Sequence, residues 1–278
     1  MKPTFFLTLL ASALTITSAH AQNDLKLEKT ASNINILNTR FSNLPQEERI
    51  SYLQLRADAS RYFANKRTFE TMLAIHKMRE IFTDDPVADN LLGAVYVEFR
   101  DFPKARKVFR KAMERAGEDP KILFNLAELE FCDNRWESSL ENFEDLHKLL
   151  ISLGQENNDF VKIIEFKILL SKLALSQSTN ENISADQKKK YLADAKQLAD
   201  NYSYLDDSPY YYYANAALDY YNENERSASK WIITAKTVFA NNPGILTSWD
   251  DTMVEFGYIN AHYGKHHSKA ASNTTIAP

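Results

Sequence analysis

The chain has 278 residues, a formal net charge of −4 and an aromatic share of 12%. That length buries a sizeable core, and the acidic balance argues against nucleic acid as the main partner, because such proteins carry a basic field that displaces phosphate counterions. The 6 glycines are too scattered to cradle a phosphate, so a Walker or Rossmann nucleotide loop is excluded.

Lys2, an apolar run from Phe5 to Ile16 and the small-x-small triplet Ala19-His20-Ala21 read as a secretory signal peptide over residues 1–21, cleaved before Gln22. The run is short for a bilayer span, and no later stretch approaches about 20 apolar residues, so an integral membrane protein is not expected. No cysteine follows the run, which argues against a lipid anchor. The single cysteine, Cys132, has no intramolecular partner, and burial is its expected protection in an exporting compartment.

Residues 22–44 are polar and asparagine-rich, a flexible leader in which the apolar patch from Ile34 to Leu37 forms at most one docked turn. Pro45, Glu47 and Glu48 then open a helix, with proline in the first turn and carboxylates at the positive end of the dipole. From Pro86 to Leu150 the same pattern occurs twice. Pro86 and Pro120, Leu92 and Leu126, Gly93 and Ala127, Phe102 and Trp136, Ala105 and Ser139, and Phe109 and Phe143 each stand thirty-four residues apart. Such a period marks stacked helical hairpins, each covering the apolar flank of the next.

The clearest copies are 86–119 and 120–153. Counting back gives a degenerate copy over 52–85, with Ala59, Tyr62, Ile75 and Met78 at the small, aromatic and apolar sites and Asn65-Lys66-Arg67 as its turn. After Leu150 the strict period fails. Residues 158–202 form an irregular pair whose first helix, Asp159 to Leu175, is apolar on more than one side. Residues 209–242 form a further copy whose first helix carries Tyr210, Tyr211, Tyr212, Tyr213, Tyr220 and Tyr221. A last helix over 245–263, with Trp249, Met253, Phe256 and Ile259, is the expected end cap. Residues 264–278 read as a disordered tail.

The sequence Leu92-Gly93, then Tyr96, Ala105, Phe109 and Ala112, resembles the tetratricopeptide repeat. The second copy departs from that pattern at Glu130 and Ser139. The resemblance implies an all-α fold, a right-handed superhelical α-solenoid of helix-turn-helix repeats with a C-terminal capping helix, and a role as a non-enzymatic interaction scaffold. It also implies that first-helix positions line a concave groove for a peptide or protein partner. Carried over to this chain, these positions include Asn90, Val97, Glu98, Lys121, Phe124, Glu128, Phe131, Tyr211 and Tyr221. The groove lacks the repeated Lys/Arg clamp that captures a peptide's C-terminal carboxylate in the chaperone-binding members of the family.

With the signal peptide, the expected setting is the cell envelope, either periplasmic or extracellular. The competing expectation is a carbohydrate or envelope-polymer binding factor that uses the tyrosines of 210–221 as a stacking platform, because tyrosine offers a flat apolar face with a polar rim. Four successive helical residues point four ways, however, so some of Tyr210 to Tyr213 belong to the core. Lys104, Arg106, Lys107, Arg110, Lys111 and Arg115 make one second helix strongly basic, either a dock for an anionic polymer or a solvated outer face. His262, His266 and His267 have a metal-like spacing but no accompanying zincin motif. No nucleophile elbow or paired-cysteine motif occurs, and neither catalysis nor a metal or other cofactor is expected.

Overall fold

The computed structural model describes residues 35–260 apart from 118 and 157. The expected signal peptide, residues 22–34 of the leader, the tail, and His262, His266 and His267 lie outside the described residues. Among the described residues there is no strand, and helix accounts for 77%. The chain divides into two compact units, one ending at Asp133 and one starting at Asn134.

The N-terminal unit comprises α1 (35–42), α2 (Gln46–Ala64), α3 (Thr68–Ile81), α4 (Pro86–Glu98), α5 (Phe102–Ala116) and α6 (Pro120–Cys132). Helices adjacent in sequence pack as pairs, α2 on α3 and α4 on α5. The start signals repeat with the sequence. Asp85 accepts from the Val87 amide at 2.9 Å and Asp119 from the Lys121 amide at 2.8 Å, each just before a proline in the first turn.

The turns repeat as well. Lys66, Arg100 and Asn134 stand thirty-four residues apart and all take the left-handed conformation, with φ of 58°, 57° and 57°. In two of these turns the next residue's amide closes back on the first helix, Arg67 on the Tyr62 carbonyl and Asp101 on the Tyr96 carbonyl, both at 2.9 Å. A side chain in this region costs on the order of 1 kcal/mol, so the hairpin geometry is held against local strain by the packing around it.

That packing uses the expected positions. Ala59, Ile75 and Met78 are buried around Tyr52 and Phe82, while Ala105 and Phe109 close against Leu129. Gly93 carries the α4/α5 contact, because the Phe109 ring lies where a side chain would start.

Segment 35–42, expected within the flexible leader, is a helix. Leu37 and Phe41 pack against the N-terminal core, with the Phe41 ring 5.2 Å from Tyr52 and 5.7 Å from Phe82. The polar composition misled because only one side of α1 is apolar. Arg40 also fastens α1 to Asp84 at 2.6 Å, and Arg115 reaches the same carboxylate at 2.8 Å.

Arg40, and Arg115 after it, hold the Asp84 carboxyl below its ordinary value. A depressed carboxyl adds stability that is present above its unfolded value, about 3.9, and is lost as pH falls through its folded value. Asp84→Asn is therefore expected to lower the melting temperature at pH 7 and to differ little from the parent near pH 2. An equal difference at both pH values contradicts this.

The C-terminal unit comprises α7 (Trp136–Ser152), α8 (Asp159–Ser176), α9 (Ala185–Ala199), α10 (Tyr210–Tyr221), α11 (Glu225–Val238), a 3-10 turn (Pro243–Leu246) and α12 (Thr247–Phe256). Here α8 is the buried element: Val161, Ile164, Phe166, Leu169, Leu170 and Leu173 are all closed off, as its two-sided apolar pattern predicts. It packs on α7, α9, α10 and α12. A capping box opens α9, in which the Ser184 hydroxyl and the Gln187 side chain each bond the other's amide.

The final helix is shorter than the expected 245–263. It ends at Phe256 because Gly257 turns left-handed at φ 89°, a glycine stop placed just past the last helical residue.

Candidate functional site

The nine carried-over groove residues do not form one exposed surface. Asn90 is buried on α4, and its side-chain oxygen accepts from the Asn125 amide of α6 at 2.9 Å, so that end of the side chain serves helix packing. Phe124 and Phe131 are likewise buried on α6. These three keep little surface open to solvent.

Val97 is half-buried against the Ala105, Phe109 and Leu129 cluster, and Glu128 is also half-buried. Glu98 is exposed and pairs with Lys66, while the Lys121 side chain is exposed at the start of α6. The accessible part of the predicted site in the N-terminal unit is thus a mixed-charge set around Glu98 and Lys121.

In the C-terminal unit the tyrosine run is mainly core. Tyr210 and Tyr213 are 0% exposed and Tyr212 is 8% exposed. Tyr213 donates to Asp250 at 2.7 Å and Tyr210 to the Leu198 carbonyl at 2.9 Å. Burial pushes both hydroxyls far above their ordinary values, so they stay protonated donors. Tyr211 is half-buried, with Trp231 edge-on at 5.6 Å and Tyr204 at 6.3 Å. Tyr221 is half-buried, and its hydroxyl accepts from Ser176 at 3.1 Å. A sugar-stacking platform needs open ring faces, and three of the six tyrosine rings on this helix, Tyr210, Tyr212 and Tyr213, are turned inward.

The basic helix α5 is also largely spoken for. Arg106 forks onto Glu130 at 2.7 and 2.8 Å and reaches Asp133 at 2.7 Å, which holds the guanidinium still more firmly charged. Arg115 pairs with Asp84 and Asp89, and Lys104 with Asp101. The Arg106 fork also accounts for Glu130, the acid at the aromatic position of the second copy. Cys132, expected to be buried, is half-buried at the end of α6.

Sequence reasoning missed three polar centres. Asp89 is 0% exposed on α4, bonded to Arg79 and, at 2.7 Å, to Arg115. Glu165 accepts from Tyr202 at 2.7 Å and lies 3.1 Å from His147. Lys167, also 0% exposed, meets Glu255 at 3.1 Å. Of these Glu165 and Lys167 were signalled, as charges inside the apolar run from Phe160 to Leu173.

Among the described residues no helix is long and apolar enough to cross a membrane. Compared with known protein families and with curated proteins, the chain matches none.

Proposed function

We propose that the chain is a non-enzymatic interaction scaffold exported to the cell envelope, where it holds a peptide or protein partner against the first helices of its hairpins. In this reading the hairpins form a right-handed, tetratricopeptide-like solenoid, the signal peptide is removed, and the protein works in the periplasm or outside the cell without a cofactor. The observation that carries it is the thirty-four-residue recurrence, in both side-chain pattern and turn geometry, at Lys66, Arg100 and Asn134. Hairpin stacks of this kind present extended surfaces suited to binding. The half-buried and exposed first-helix residues Val97, Glu98, Lys121 and Glu128 are the contacts this reading uses.

Retention of envelope proteins by the immobilised mature chain, followed by titration of the retained partner, tests the scaffold. Glu98→Ala with Lys121→Ala is expected to weaken binding of that partner about tenfold or more, equivalent to at least about 1.4 kcal/mol. The outer-face variant Lys107→Ala with Lys189→Ala is expected to bind as the parent does. If both pairs behave alike, the first-helix surface is not the binding site.

A further inference from the structure

The solvent side of α3 and α5 brings exposed apolar side chains and unpaired cations together. Each helix shows one exposed stripe, and the two stripes match at a thirty-four-residue offset: Phe69, Leu73, His76, Lys77 and Glu80 on α3, and Pro103, Lys107, Arg110, Lys111 and Glu114 on α5. The helices run side by side in one direction. Phe69, in the first turn of α3, lies 5.9 Å from Phe99, just before α5 begins, and toward the other end Arg79 and Arg115 meet on Asp89.

α3 supplies the apolar half. Phe69 is 77% exposed, Leu73 one turn further is 56% exposed, and Phe99 beside Phe69 is 45% exposed. Large apolar side chains gathered in water mark an interaction surface, whereas scattered single ones do not.

α5 supplies the charge. It carries six basic residues, Lys104, Arg106, Lys107, Arg110, Lys111 and Arg115, against the one acid Glu114. Lys104, Arg106 and Arg115 are taken up by Asp101, Glu130 and Asp89. Among the described residues Lys107 and Arg110, and Lys77 of α3, have no hydrogen-bonded or ionic partner. The chain as a whole, at −4, is repelled by an acidic surface, so only a local patch can hold it there.

A soluble polyanion would neutralise these cations and leave the rings in water. An acidic bilayer satisfies both, because its headgroup charge lies directly above hydrocarbon. We infer that the α3/α5 face is a peripheral membrane-docking surface. Phe69, Leu73 and Phe99 enter the headgroup boundary, and Lys77, Lys107, Arg110 and Lys111 hold the acidic headgroups.

The test is co-sedimentation of the mature chain, which lacks the apolar run from Phe5 to Ile16, with vesicles of phosphatidylcholine alone or mixed equally with phosphatidylglycerol. Acidic vesicles are expected to bind at least about tenfold more tightly than neutral ones, and high salt to shrink the difference. Lys107→Glu with Arg110→Glu, and separately Phe69→Ser with Leu73→Ser, are each expected to weaken binding about tenfold or more. Two controls are expected to bind as the parent does: Lys189→Glu with Lys190→Glu, which changes the net charge equally, and Ile233→Ser with Val238→Ser, which removes apolar side chains exposed on α11.

Failure of the parent to bind acidic vesicles overturns the inference. So does equal weakening by Lys189→Glu with Lys190→Glu, which leaves net charge as the cause, or parent-like binding by Phe69→Ser with Leu73→Ser, which leaves a dock for a soluble polyanion. Should a variant pair lose its helical circular dichroism, Phe69→Trp decides: quenching of its added emission by brominated lipid chains supports insertion, and no added quenching overturns it. Pure lipid contains no protein partner, so this test and the one at Glu98 and Lys121 succeed or fail independently.

Discussion

Replacing Gly93 with alanine is expected to lower stability by about 2 to 3 kcal/mol, although alanine is the better helix former by about 1 kcal/mol. A Cβ built at Gly93 falls 2.4, 2.6 and 2.8 Å from three atoms of the Phe109 ring. Carbon atoms attract best near 3.5–4.0 Å, so contacts this close are strongly repulsive and something must move. Phe109 is 0% exposed and is wedged between α4 and α5, so the ring has no open space to enter. The hairpin itself must open.

The effect is visible as a drop in the urea midpoint followed by far-UV circular dichroism. Phe109→Leu should recover much of it, because the smaller side chain makes room for the added methyl group. Coupling between the two sites, measured by a double-mutant cycle, is then favourable and larger than about 1 kcal/mol. An unchanged or raised midpoint for Gly93→Ala would falsify the close packing of α4 on α5.

The hairpins were legible in the sequence because each rests on a few positions with sharp steric demands. Gly93, Ala105 and Phe109 must be small, small and large for two helices to approach, and that demand leaves a mark at a fixed spacing. The left-handed conformation of the turn residues left no such mark. Lys66, Arg100 and Glu223 are left-handed without being glycine or asparagine, since tertiary packing outweighs a modest local cost.

Binding positions were harder to read for a related reason. A helix in a stack has faces toward its hairpin partner, the neighbouring hairpin and solvent, and a position number does not say how much solvent remains. Asn90 faces Asn125, and Phe131 is fully enclosed. The place of α12 was hidden as well. Its apolar residues announce that it covers something, but Trp249 against Phe166 and Glu255 against Lys167 are contacts across more than eighty residues. No local pattern predicts them.

The largest electrostatic effect is expected at Asp89. Its carboxylate is 0% exposed and sits between Arg79 of α3 and Arg115 of α5, with the Lys111 ammonium 4.0 Å away. The cluster thus ties three successive helices of the N-terminal unit together. Its two sides are not equivalent, because Arg79 and Arg115 keep 30% and 22% of their side-chain surface in water. An arginine that loses Asp89 can turn toward solvent, but the carboxylate has no such exit.

Arg79→Met with Arg115→Met preserves the aliphatic stems while withdrawing both guanidinium groups, and is expected to cost about 3–5 kcal/mol. Asp89→Asn, which removes the buried charge and keeps the shape, is expected to cost less than half as much. Thermal unfolding of the three proteins in one buffer measures the order. If Asp89→Asn proves the more damaging change, the arginines rather than the aspartate are the groups that depend on the cluster, and the burial argument made for Asp89 is reversed.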